Sequence, residues 1–310
     1  MFAFPHYARK QILRDKHTLL EGYVTEYLYK TQFLESKPQN YTSGWWSADV
    51  GGQRFFFVVK KKLSELDCKI INKLSDTYPC WRVYPRWNTW YFYDGNLKLS
   101  MNQFIRKYHL QLIGKCQPAT SETRDAVRQN RCIEFFQAKK ILRQIAVERH
   151  FADFFLTNYF HSLVNIDFFV LRNNGNLSAI EVKFKFESRN GKFGINDGQF
   201  KLFELLEQEG IEIQHWILYN WTHDKELSIF GFLELECVEK YWLRSKIETT
   251  SRRSRKTAPE VTSVYGMKRQ KYYEFDKNEF AYAAPLICPQ QQKKQFKIPC
   301  LFYGKRQDLG

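Results

Sequence analysis

No apolar run of about 18 uncharged residues occurs in the chain, and no basic start leads into a long apolar stretch, so neither a spanning helix nor a leader is expected. The expectation is a soluble cytoplasmic protein, nucleoid-associated if prokaryotic, with no membrane partner. No Cys-x-x-Cys pair is present. The seven cysteines stand singly at positions 68, 80, 116, 132, 237, 288 and 300, which argues against zinc or a disulfide framework and for buried, reduced thiols. The seven histidines form no metal-binding pair at helix spacing. There is no phosphate-binding loop, no dinucleotide glycine motif after a strand and no Gly-x-Ser-x-Gly elbow, so the protein should need no ATP of its own.

What the chain does carry is positive charge. Its 310 residues include 48 Lys and Arg against 33 Asp and Glu, a net charge of +15. Such a surface attracts a polyanion and releases counterions on binding it, and nucleic acid fits best. An effector acting on a protein would leave that charge unexplained. Residues 251–310 hold 13 Lys and Arg and 5 Asp and Glu, and so contribute +8. Within them Arg252, Arg253, Arg255 and Lys256, followed by Thr257-Ala258-Pro259, read as a flexible basic loop able to contact phosphates. The length suggests two domains, or one with appendages.

The N-terminal third differs in texture. It holds Trp45, Trp46, Trp81, Trp87 and Trp90, five of the eight tryptophans. Strands are expected at Arg54–Lys60 and Cys80–Tyr84, with Trp87–Tyr93 pairing onto the second and a helix over Lys62–Leu74 between them. Lys60, Arg82, Arg86 and Trp87 combine cations with rings that could stack bases. Most of the rings are expected in the core of a small α+β module, with the tip at Arg86-Trp87-Asn88 exposed.

Chemistry concentrates further on. Asn165-Ile-Asp-Phe-Phe-Val-Leu171 and Ile180-Glu-Val-Lys-Phe-Lys-Phe186 read as a β-hairpin around Asn173-Asn174-Gly175. By alternation Ile180, Val182, Phe184 and Phe186 face one side, and Glu181, Lys183, Lys185 and Glu187 the other, giving one core face and one charged face. A two-residue turn would put Asp167 and Glu181 on opposite faces. A three-residue loop with Gly175 left-handed pairs them. Paired in this way, Asp167 and Glu181 could hold Mg²⁺ or Mn²⁺, and Lys183 could orient or deprotonate water and offset charge on phosphorus.

At these residues the chain resembles the PD-(D/E)xK nuclease superfamily, whose core hairpin carries an Asp and then Glu-x-Lys before a helix and a further strand. Asp167 and Glu181-Val182-Lys183 match. Asn196 or Asp197 caps a helix with Phe200, Phe203 and Leu206 on one stripe and Gly210 at its end, and Ile211–Tyr219 reads as the closing strand. Asn165-Ile166 replaces the Pro of the family name. The resemblance covers roughly residues 120–235. It implies a restriction-endonuclease-like αβββαβ core, an α/β fold with a mixed central sheet flanked by helices, at residues 119–245. Residues 1–118 would then be the aromatic, basic module and 246–310 a basic C-terminal extension. Gln199 matches a glutamine of several branches. A helical stretch over Arg124–Tyr159 would supply a further metal-reaching Glu, Glu148 or alternatively Glu134.

The resemblance implies a Mg²⁺-dependent deoxyribonuclease, an endonuclease hydrolysing DNA by in-line water attack to leave a 5′-phosphate. Asp167 and Glu181 would be the metal ligands, with Lys183, Glu148 and Gln199 completing the catalytic set. Nucleic-acid contacts are expected from Arg82, Arg86, Trp87, Lys185, Lys192 and the 252–256 cluster. Restriction or other defence, junction resolution and transposase-associated cutting are compatible roles. A protein partner could bind the N-terminal module or the C-terminal extension. The alternative is a non-catalytic nucleic-acid-binding or assembly protein on a nuclease-derived fold. The Val58-Val59-Lys60 strand beside Glu181-Val182-Lys183 also raises a duplicated, decayed unit. No acid there replaces Glu181, so an active second site is not expected.

Overall fold

The computed structural model describes residues 15–86, 89–113, 125–236, 239–249, 255–257, 264–265, 268–269 and 271–287. Helix α1 (His17–Phe33) leads to a two-residue strand, β1 (Tyr41–Thr42), which passes through Ser43-Gly44 into β2 (Trp45–Val50). A turn at Gly51-Gly52, both at positive φ, returns the chain as β3 (Gln53–Val59). Helix α2 (Glu65–Leu74) then crosses to β4 (Cys80–Arg86), which is followed by β5 (Thr89–Asp94), β6 (Leu97–Ser100) and helix α3 (Met101–Lys107). Strands and helix fall where the sequence places them. The helix starts at Glu65 rather than Lys62 because Ser64 and Asp67 form a reciprocal capping box. Leu66, Ile70 and Leu74 give it a buried stripe at spacing four.

The second half opens with α4 (Ala126–Ala138) and α5 (Leu142–Phe151), the latter running on through a π turn at Ala152–Leu156 to Tyr159. The helical stretch expected over 124–159 is thus broken near Lys140, which has φ 59°. Strand β7 (His161–Ile166) passes through Asp167 into β8 (Phe168–Leu171), which pairs with β9 (Leu177–Lys185). Next come β10 (Lys192–Asn196), α6 (Asp197–Gln208), β11 (Glu212–Tyr219), α7 (Ile229–Glu234) and β12 (Tyr241–Ile247). Short strands β13 (Arg255–Thr257), β14 (Val264–Tyr265) and β15 (Lys268–Arg269) precede β16 (Lys271–Asp276) and β17 (Ala281–Pro285).

These strands form two six-stranded mixed sheets of equal size, where a central sheet with a smaller N-terminal α+β module was expected. The first has the order β7-β2-β3-β4-β5-β6 and the second β1-β8-β9-β11-β12-β17. In each, one neighbouring pair is parallel, β3 with β4 and β9 with β11, and is joined by a crossover helix, α2 or α6. The first sheet takes β7 from beyond residue 118. The second takes β1 from before it and β17 from beyond residue 245. A three-stranded sheet, β10-β16-β13, stands beside them. Strands β14 and β15 pair only with each other, so residues of the basic extension form strands in three sheets.

One apolar core joins inner residues of both sheets, among them Trp45, Phe56 and Ile217, to Ile70 of α2 and Phe203 of α6. A second core lies between the other face of the second sheet and α1, α4, α5 and α7. The third packs α3 and the end of α5 on the outer face of the first sheet. Trp45, Trp46, Trp81 and Trp90 are all buried in these cores, while Trp87 and Asn88 lie outside the described residues. Among the described residues, no helix is long and apolar enough to cross a membrane.

Candidate active site

The site forms where the chain crosses from one sheet to the other. Phe168 pairs with Ile180 and Leu171 with Leu177, so the same register sets Asp167 opposite Glu181. Arg172 N–H donates to Asn176 O at 2.9 Å and Gly175 has φ 82°, so the loop has three residues, Asn173 to Gly175. This is the turn that the pairing of the two carboxylates requires, and only glycine takes such a φ without strain.

Both carboxylates are buried, each 2% exposed. Of the charged face expected from alternation, Glu181 and Glu187 are therefore buried, while Lys183 and Lys185 are half-buried. Asp167 accepts from Val182 N–H at 2.7 Å and from the Asn165 amide at 3.0 Å. Burial, reinforced by the facing Glu181 carboxylate, pushes the Asp167 carboxyl up to about 7. Glu181 Oε1 accepts from Gln199 Nε2 at 2.6 Å and is ion-paired to Lys183. Although burial disfavours its charge, the Glu181 and Asp167 carboxylates hold the Lys183 ammonium above its ordinary range.

Two helices bring further carboxylates to a recess of about 160 Å³ that Asp167 also lines. Glu148 of α5 is the expected one. It is buried, accepts from Gln144 Nε2 at 3.0 Å, and is pushed up to about 7 by burial. Its carboxylate lies over Gly44, where an added Cβ would come within 3.2 Å of Oε1. The backbone there has φ 80°, so this position suits glycine twice over. Glu134, the alternative, is exposed on α4 and does not line the recess. Glu26 of α1 does line it, and was not anticipated from sequence. Burial and the Asp167 charge raise its carboxyl well above the ordinary range. Its only local signal is the run Tyr23, Glu26, Tyr27 and Lys30, one helix face that lines the recess.

The donor set is all oxygen, and Asp167, Glu181 and Glu26 all act on the Lys183 ammonium, the kind of donors a hard divalent cation takes. As the side chains stand, however, no three Asp, Glu, His or Cys groups among the described residues are gathered to hold one. His215, also unanticipated, lies opposite Glu181 on β11 and is fully buried, with neither ring nitrogen hydrogen-bonded. Burial, with Lys185 and Lys183 nearby, keeps it neutral. His150 stacks against Trp90 and Phe154 rather than serving the site.

The expected nucleic-acid contacts are dispersed. Arg82 lies over the Tyr93 ring at 4.0 Å, and Arg86 is exposed at the end of β4. Lys60 is tied to buried Asp67 at 2.9 Å and is structural. Lys185 donates to Gly194 O at 2.8 Å, while Lys192 and Lys256 converge on Glu274 at 4.0 and 2.6 Å. Lys256 belongs to a strand, not to a flexible loop, as does Arg255, whose side chain is not described. Arg252, Arg253 and Trp87 lie outside the described residues. Comparison with family models, with curated proteins and with solved structures found no match.

Proposed function

We propose that the chain is a Mg²⁺- or Mn²⁺-dependent endonuclease acting on DNA, with a PD-(D/E)xK-like centre at Asp167, Glu181 and Lys183. One observation carries the reading. A hairpin in the required register sets two buried carboxylates face to face, with a lysine two residues beyond one of them. The helix and parallel strand that follow, α6 and β11, support it further.

Asp167 and Glu181 would hold the cation, with Glu148 and Glu26 lining the recess beside Asp167. A bound divalent ion supplies Lewis acidity toward a phosphate oxygen and lowers the pKa of water. The chain's own groups do the positioning. Gln199 fixes the Glu181 carboxylate, and Val182 N–H and Asn165 fix Asp167. Lys183, held charged by its carboxylate neighbours, offsets charge growing on the phosphoryl oxygens and is not a base in this state. The net charge of +15 suits a polyanionic substrate. Defence, junction resolution and transposase-associated cutting are all compatible with such chemistry.

A non-catalytic nucleic-acid-binding protein is the second reading. It is favoured by Glu181 Oε1, which is already shared by Lys183 and Gln199. Incubating the purified chain with supercoiled plasmid and Mg²⁺ or Mn²⁺ separates the two. Wild type should cut, and Asp167→Ala or Glu181→Ala should lose at least roughly a hundredfold in rate while nearly retaining DNA affinity, since phosphates are held by separate basic residues. Undiminished cutting in excess chelator, or by either variant, would reject the nuclease reading.

A further inference from the structure

The two sheets repeat one plan. In each half a helix precedes a strand that crosses between the sheets, α1 before β1-β2 and α5 before β7-β8. An antiparallel partner follows (β3, β9), then a crossover helix (α2, α6), a parallel strand (β4, β11) and two more antiparallel ones (β5 and β6, β12 and β17). The strand orders β7-β2-β3-β4-β5-β6 and β1-β8-β9-β11-β12-β17 correspond position by position. Even the exchange is mutual, since each half lends the first strand of its crossing, β1 or β7, to the other's sheet.

The pairing register locates the centre of this relation. Trp45 pairs with Ile166 in the first sheet and Thr42 with Phe169 in the second, so one unbroken register sets Gly44 opposite Asp167. An approximate twofold between these residues exchanges them. It also exchanges Val59, whose N–H donates to Gly44 O at 2.9 Å, with Glu181, and so Lys61 with Lys183. At the positions where the second half has Asp, Glu and Lys, the first has Gly44, Val59 and Lys61. Neither Gly44 nor Val59 has a side-chain oxygen to offer a cation, and the space at Gly44 is taken by Glu148 from the other half. Glu26 and Glu148, from the helices that precede the two crossings, reach the same recess.

We infer that the chain is a fused pair of one nuclease-like unit with a single catalytic set at the centre of its pseudo-twofold, and that it therefore cuts one strand of duplex DNA per binding event. Concerted cutting of both strands needs two catalytic sets disposed about the duplex, and the partner hairpin here has Gly44 and Val59 where Asp167 and Glu181 stand. This inference rests on the nuclease reading. It names the outcome of the reaction, a nick.

The test follows supercoiled plasmid with limiting full-length protein and Mg²⁺ or Mn²⁺, resolving nicked circle from linear product over time. Nicked circle should accumulate first, with linear product arising only later from independent second nicks. Lys61→Gln should leave the nicking rate unchanged, whereas Lys183→Gln should abolish it. Linear product formed without a nicked intermediate, or a Lys61→Gln loss equal to that of Lys183→Gln, overturns the inference and leaves the nuclease reading standing. No cleavage with either metal overturns both.

Discussion

The two halves share a plan and treat buried charge in opposite ways. In the first half Asp67, fully buried, accepts from Thr42 Oγ1, Trp45 Nε1, Ser64 N–H and Ser64 Oγ, and pairs with Lys60. Burial works against its charge, but Lys60 and those donors hold its carboxyl below the usual range. In the second half Asp167 is as deeply buried, has two neutral donors, faces Glu181, and is pushed up to about 7. Burial alone thus does not mark a site. What marks one is a carboxylate whose surroundings fail to compensate it, a burden that function explains and folding does not.

The sharpest way to break this comparison is to remove each aspartate in turn without metal. Asp67→Ala should cost about 3–5 kcal/mol in denaturant unfolding, because Lys60 and four other donors lose their acceptor. Asp167→Ala should cost far less. Equal losses would mean that both carboxylates are simply structural.

A second contrast is in pH. Asp167 and Glu148 have folded-state carboxyls at about 7, above their unfolded values of 3.8 and 4.5. The folded protein therefore binds more protons through that window. The stability these groups contribute is full below the unfolded values and is lost as pH rises toward 7. Asp67, depressed, acts in the opposite sense and loses its contribution as pH falls. Unfolding followed from pH 4 to 8 in chelator should show the decline with rising pH, and Asp167→Asn with Glu148→Gln should flatten it. An unaltered profile in the double variant would remove these carboxyls as its source. The smallest effect expected is for Glu148→Gln alone at pH 7, a gain of about 1 kcal/mol without metal from relieving a buried charge. Destabilisation would show that Glu148 is needed for packing.

The hairpin was legible because its determinants are local. Gly175 fixes the loop, the alternation fixes the faces, and together they pair Asp167 with Glu181. Helix α2 was legible as an element but not in its start, which the Ser64-Asp67 capping box moves from Lys62 to Glu65. The joining of the sheets was not. Gly44 meets Asp167 through strands more than a hundred residues apart, and no local period records such a pairing. Glu26 was missed because its helix lies outside the resembling region and reaches the recess only once the sheets interlock. The basic C-terminal stretch misled in the other direction, since its charge drew attention from the alternation in Lys271–Asp276, which builds a strand.

The nuclease reading requires a divalent cation to bind at the Asp167 cluster and not at the Asp67 cluster. Thermal unfolding of the full chain at pH 7, in chelator and with rising Mn²⁺ or Mg²⁺, tests it without requiring turnover. Wild type should gain stability with metal, about 2.7 kcal/mol at a hundredfold excess over the dissociation constant, and Asp167→Asn should gain almost none. A wild type that metal leaves unmoved, or an Asp167→Asn variant that rises equally, would contradict the account.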